Sequence, residues 1–332
     1  MKIPGRVTIM VPVLNGELFL PLALDSLLAQ DYPHFQIVVL DNQSTDRTGE
    51  ICREYERRDA RVKYVRDTVN RISHDAANHL ATFITGEFCM IACDDDLWEP
   101  HFLSVLVQYL QQHPDVGLVY PNACYVDVEG NRGAQRLLSA RHLYARSDSS
   151  LANAWRYLGQ RRVVPTIFGL YRSDAYLAAL PFDTFDETIA DVDNLFIIKL
   201  MLQTRVQGID EVLFFYRNKF RGYNPATGQS WSDSWFLYAQ HQWRFLRKIP
   251  ELLNTSNISY AESALLQFRS CWTFLAMITF LRARSWLGKI LVRIRLIDGP
   301  SNKKDIHSEI RSASLRSAHS DKKTRSANVS SE

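Results

Sequence analysis

Three aspartates, Asp94, Asp95 and Asp96, stand side by side in "MIACDDDLWEP", residues 90–100. Adjacent carboxylates repel one another, so a chain that concentrates them gains something in return. Three uses are open. A divalent cation such as Mg²⁺ or Mn²⁺ takes hard oxygen ligands and relieves the repulsion, usually sharing one or two carboxylates with substrate phosphates. A carboxylate can accept hydrogen bonds from a ribose hydroxyl. Or the acids cap the next helix and face water. The cluster follows an apolar run and precedes Pro100, which favours the first two.

The elements around the cluster alternate. "RVTIMVPVLN" reads as a buried strand, and "LFLPLALDSLLAQ" carries a helical apolar stripe with Pro21 where a first turn tolerates it. "FQIVVLDNQS" is a second strand ending at Asp41, and Ser44, Thr45 and Asp46 are capping candidates for the helix after it. "VKYVRD" is a third strand. "HDAANHLATFIT" reads as a helix stopped by Gly86, and "EFCMIACDDD" as a fourth strand ending in the carboxylates. A helix from Pro100 and a strand "VGLVYPNACYVD" follow. The expected fold class is α/β, a mostly parallel sheet with helices on both faces. Such sheets bind ligands beyond the carboxyl ends of their strands, where Asn15, Asp41 and Asp94–Asp96 fall.

There is no GxGxxG and no GxxxxGK[ST], which disfavours a dinucleotide dehydrogenase or a P-loop phosphotransferase. A nucleotide would have to be held by side chains such as Asn15, Glu17, Asp41 and the aspartates. Net charge is only +3, so bulk charge does not argue for nucleic-acid binding. Five cysteines without CxxC spacing make a disulfide framework or zinc site an unfavoured reading and suit a reducing compartment. The opening residues lack a long apolar run and a small-residue cleavage site, so no secretory leader is expected.

Taken together, "VTIMVPVLNGELFLPLALDSLLAQDYPHFQIVVLDNQSTDRT" and "VNRISHDAANHLATFITGEFCMIACDDDLWEP" resemble the inverting family 2 glycosyltransferases of GT-A fold. The resemblance is high over residues 6–125 and looser to about 218. It implies transfer of a sugar from a nucleotide diphosphate donor to a hydroxyl of a glycan acceptor, in cell-surface polysaccharide synthesis, with Mn²⁺ or Mg²⁺ as cofactor; a lipid-linked acceptor is suggested only by the basic, aromatic composition of residues 269–297. It implies that Pro12, Val13, Asn15 and Glu17 line the nucleotide pocket. Asp41 would meet the nucleobase with Ser44 nearby, and Asn70 and Asn78 would shape the floor. Asp95 would hold the ribose and Asp96 the metal, with Asp94 aiding either. The family's first acid of "DxDD" is Cys93 here, Ile72 stands for a common glycine and Leu14 for a common tyrosine.

Inverting transfer needs a base. In "DETIADVDNLFIIKLMLQ" the resemblance assigns it to Asp191, with Asp193 as the alternative. By themselves, these acids equally suit the first turn of a helix. Trp98 could stack on a sugar or pack in the core. Gly169 and Arg172 could belong to an acceptor-side strand or be structural. Tyr216 and Arg217 match a family "YR" that either packs or meets donor phosphate.

The organisation expected is a glycosyltransferase domain over 1–225, with a nucleotide half to 125 and an acceptor half from 126. A helical region would fill 226–298, and a Ser-rich charged tail 299–332 would be disordered. From 269 to 297 there are six basic residues and no acidic one, with Trp272, Phe274, Phe280 and Trp286 among them. That composition fits either a helix on an anionic bilayer or a core helix with a basic solvent face. A cytoplasmic location, with that region against the inner face of the cell membrane, follows from the first reading. Two rival functions are a non-catalytic nucleotide-sugar binding module and a sugar-1-phosphate nucleotidyltransferase, though the latter calls for a Gly-rich first loop.

Overall fold

The structure, a computed structural model, describes residues 2–71, 73–128, 165–182 and 192–217, with positions 130, 152, 154, 157, 223–224, 229–230, 261, 264–266, 268 and 272 besides. The helical region expected over 226–298 and the tail lie largely outside these residues, as does Asp191.

The strands are β1 (Ile3–Val13), β2 (Phe35–Asp41), β3 (Val62–Arg66), β4 (Gly86–Ile91), β5 (Leu97–Trp98), β6 (Val116–Val126), β7 (Leu170–Arg172) and β8 (Arg205–Arg217). Among the described residues they form one eight-stranded sheet, ordered β3-β2-β1-β4-β7-β6-β8-β5. The first four run parallel, as do β6 and β8, whereas β7 is antiparallel to both its neighbours and β5 is antiparallel to β8. The mixed character enters with β5 and β7, two- and three-residue strands too short to carry a periodic signal.

Helices α1 (Leu20–Leu28), α2 (Thr48–Arg58) and α4 (Phe102–Gln112) cover one face. Helices α3 (Ser73–Leu80), α5 (Ser173–Ala179) and α6 (Val192–Gln203) cover the other. Strand periodicity divides the cores. Val7, Ile9, Val11 and Val13 point to the first face with Ile37 and Val39, while Met10, Val38 and Leu40 point to the second. Both faces are dry, so β1 and β2 read as continuous apolar runs. Among the described residues no helix is long and apolar enough to cross a membrane.

Gly86 does not cap a helix. Helix α3 ends at Leu80, a short 3₁₀ turn (Ala81–Phe83) follows, and Gly86 opens β4 opposite Ile3. A Cβ there would lie 2.3 Å from the Arg6 carbonyl oxygen, so the residue is required by close strand approach rather than by a helix end.

Candidate functional site

The register decides where the polar residues emerge. Val13 pairs with Asp41 across β1 and β2, and Met10 with Ile91 across β1 and β4. Three neighbouring parallel strands therefore stop at one edge, and the loops beyond them share a crevice. Both loops leaving β1 and β2 begin with left-handed residues, Asn15 (φ 54°) and Gln43 (φ 64°). Asparagine tolerates that region; glutamine is uncommon there.

The two loops are tied by side chains. Ser44 Oγ accepts the Asn15 backbone N–H at 2.9 Å, and Asn15 Oδ1 accepts that of Thr45 at 2.9 Å. Thr48 Oγ1 accepts the Gly16 N–H at 2.8 Å. Asp46 accepts the N–H of Glu17 through Oδ2 and that of Thr48 through Oδ1, while Glu17 Oε2 accepts the N–H of Arg47. Of the three capping candidates, Asp46 thus serves the first turn of α2, while Ser44 and Thr45 reach back to Asn15. Asn15, Glu17 and Ser44 hold the crevice wall through these bonds. Pro12 is half-buried and Val13 is fully in the core.

Asp41 sits at the floor with its side chain wholly buried. Its Oδ1 accepts the Ser44 N–H at 2.7 Å, and its Oδ2 accepts from the Tyr64 hydroxyl and from Arg66, each at 2.8 Å. Beside it, Asn42 and the Arg71 backbone exchange two hydrogen bonds of 2.6 Å. Asn78 does the same with Phe182, donating to its carbonyl at 3.1 Å and accepting its N–H at 2.8 Å. This ties α3 to the chain before α6.

A further acid without a motif of its own, Asp67, stands one residue past β3 as Asp41 stands at the end of β2. It is almost fully buried, and Arg71 and His79 both reach its Oδ2, at 2.7 and 3.1 Å. Burial alone would raise its carboxyl. The bonds from Arg71, His79 and two backbone N–H groups outweigh that and hold it at about 2. A folded value below the ordinary 3.8 means stability that is present above about pH 4 and lost as pH falls towards 2. Asp67→Asn is therefore expected to cost on the order of 2 kcal/mol at neutral pH, less whatever solvent screening of Arg71 removes. Denaturant titration of both proteins across that range should show the difference shrinking on the acid side.

The acid cluster meets this floor from β4. Asp94 Oδ2 lies so near the first loop that a Cβ on Gly16 would approach it to 2.7 Å, and Val13 to 2.5 Å, which is why glycine stands there. Among the described residues, Cys93, Asp95 and Asp96 form a group whose ligand atoms all lie within 4.8 Å of one another. Two metal–oxygen bonds of about 2.0–2.6 Å span up to about 5 Å, so the carboxylates of Asp95 and Asp96 can share one divalent cation, whereas a protonated thiol is a poor ligand for a hard ion. Burial first, then the charges of Asp96, Asp95, Asp94 and Asp193, push the Cys93 thiol well up. Burial and the charges of Asp96, Cys93 and Asp95 also raise the Tyr216 hydroxyl. The cluster thus carries a concentrated negative field, and exposed Asp193 in the first turn of α6 adds to it.

Arg217 organises the loop. Asp96 Oδ1 accepts its backbone N–H at 2.8 Å. Its guanidinium donates to the carbonyls of Asp95 (2.7 Å), Asp127 (2.9 Å) and Val128 (2.6 Å) and lies 4.9 Å from the Phe19 ring centre. Of the two roles open to this arginine, packing is the one these contacts serve. Trp98 likewise is core, 4% exposed and 5.7 Å from Phe214. Arg172 donates to the carbonyls of Leu110, His113 and Val116, which closes the end of α4. Gly169 lets β6 approach, since a Cβ there would lie 2.4 Å from the Val119 oxygen.

Residues 8–176, about half of the chain, match the family profile described as Glycosyl transferase family 2. The chain belongs to glycosyl transferase family 2. The glycosyltransferase GlyA of Streptococcus pneumoniae is 31% identical to it over 113 residues, 34% of this family 2 chain and 16% of GlyA. Structurally it is similar to Staphylococcus aureus TarS 1-349 in complex with UDP-GlcNAc, with a TM-score of 0.60, 20% identity, and coverage of 80% of this chain and 70% of that one. It is also similar to the mannosyltransferase PcManGT of Pyrobaculum calidifontis in complex with GDP-Man and Mn²⁺, with a TM-score of 0.55, 17% identity, and coverage of 94% and 85%. These likenesses show the GT-A fold.

Proposed function

We propose that the chain is an inverting glycosyltransferase taking a nucleotide-diphosphate sugar into the crevice beyond β1, β2 and β4. The observation that carries this is the approach of Asp94 to the first loop at that edge, with the Asp95 and Asp96 carboxylates beside it close enough to share a cation. In this reading the loop wall of Pro12, Val13, Asn15, Glu17 and Ser44 and the floor of Asp41 and Asn78 receive the nucleotide. Asp95, partly exposed, accepts from ribose hydroxyls, and Asp94 borders the same space. Asp96 would hold Mn²⁺ or Mg²⁺, with Asp95 the second carboxylate within reach. Such an ion, when bound, neutralises charge on the departing diphosphate.

The chain's own contribution is positional and acid–base. Asp191 takes the proton of the acceptor hydroxyl as its oxygen bonds to the anomeric carbon. The bond from that carbon to the diphosphate oxygen breaks on the opposite face, and the nucleoside diphosphate leaves. A glycan or lipid-linked acceptor in polysaccharide assembly suits the 126–225 half as acceptor domain, with 226–298 a helical extension on a cytoplasmic protein. The Mn²⁺ and nucleotide-sugar complexes of the similar structures support this reading.

The test is a screen of nucleotide sugars for thermal stabilisation and for release of nucleoside diphosphate, with and without Mn²⁺. A donor that stabilises the wild type only with metal, and fails to stabilise Asp95→Ala, is expected. Binding without turnover under any acceptor would instead identify a nucleotide-sugar binding module.

A further inference from the structure

The three most exposed large hydrophobic residues among those described are Phe268 (65%), Trp272 (59%) and Leu265 (51%). All three positions are helical, as are Ala261 and Leu266. Ala261, Leu265, Phe268 and Trp272 are all exposed, and their spacings of four, three and four are those by which a sequence returns to one face of an α-helix. Leu266 stands about 100° away from Leu265 and is fully buried in the core that holds Phe196 and Tyr176. Leu266 thus anchors this stretch to the domain while a leucine, a phenylalanine and a tryptophan at helical spacing are exposed. Isolated exposed apolar residues are ordinary; three in register on one face mark a contact surface.

The sequence around the stripe says what it contacts. From 269 to 297 it carries Arg269, Arg282, Arg284, Lys289, Arg293 and Arg295 and no acidic residue, with Trp272, Phe274, Phe280 and Trp286 interleaved. A protein partner could cover the apolar row, but an uninterrupted basic stretch rich in tryptophan and phenylalanine complements an anionic bilayer surface. Tryptophan is favoured at the headgroup level, where one end of the ring is wet and the other apolar.

We propose that the face carrying Leu265, Phe268 and Trp272 docks on the surface of an anionic membrane. The proposal does not rest on the crevice, and its test does not depend on activity. Co-flotation of the full chain with phosphatidylcholine vesicles, with and without phosphatidylglycerol, measures it. Partitioning to the anionic vesicles is expected to be at least about tenfold stronger and to weaken with added salt. Substituting Leu265→Ser, Phe268→Ser and Trp272→Ser together should weaken it about tenfold or more while the melting temperature holds, since the side chains point away from the core. The single Phe268→Ser variant gives the same direction should the triple variant melt early. Absence of flotation on anionic vesicles, or equal flotation of wild type and variants, overturns the proposal. So does a sedimentation result in which the substitutions dissociate an oligomer without altering lipid binding, which would make the face a contact between copies.

Discussion

Asp191→Asn is expected to lower kcat by about 10³-fold while leaving donor affinity within about twofold, the signature of a lost general base. Asparagine keeps the size and one acceptor oxygen but cannot take the proton of the acceptor hydroxyl. The measurement pairs steady-state turnover with donor-induced thermal stabilisation in the same preparations. Asp193 provides the internal control. It sits exposed in the first turn of α6, and its charge reaches Cys93, so it lies on the cluster's side of the molecule. Asp193→Asn should change kcat by less than about tenfold, through the field alone. A larger loss at Asp193 than at Asp191 would transfer the base to Asp193. Equal, small losses at both would leave the crevice a binding site.

The parts of this molecule that were legible in the sequence are those whose signal is local. Runs such as "RVTIMVPV" and "FQIVVLD" are buried on both sides, and their apolar continuity and turn-rich ends announce parallel strands. Because the strands are parallel and in register, Asn15, Asp41 and the aspartates had to share an edge. What did not show is what depends on partners far apart in the chain. Arg217 holds a loop 121 residues earlier, and Asn78 holds a backbone 104 residues later. Neither has a periodic or spacing signature. The two-residue β5 makes Trp98 a core residue by pairing it with Phe214, a pairing invisible until β8 is placed. Asp67 was within reach of the same strand-end rule that found Asp41. Its role is hidden because its partners, Arg71 and His79, look like ordinary surface charges of a helix start and end.

Arg217 also yields the largest expected loss of stability. Its guanidinium is one of the largest fully buried side chains, and three carbonyls at 2.6–2.9 Å depend on it. The carbonyls are partly exposed and can turn to water, so the loss is that of charge-assisted hydrogen bonds to a buried guanidinium, about 1.5–3 kcal/mol. Arg217→Met should therefore destabilise the domain by about that amount in denaturant titration. Arg217→Lys should fall between, because lysine keeps the charge but lacks the planar fork that reaches Asp95 on one side and Asp127 and Val128 on the other. The backbone N–H that Asp96 accepts is retained in both variants, so their difference isolates the guanidinium. Cation-dependent donor stabilisation should decline in parallel with stability, since the same group fixes the Asp95 carbonyl and hence the loop that presents Asp95 and Asp96. Donor binding lost with stability intact would mean instead that the guanidinium meets the donor phosphates, the other role open to an arginine at this position.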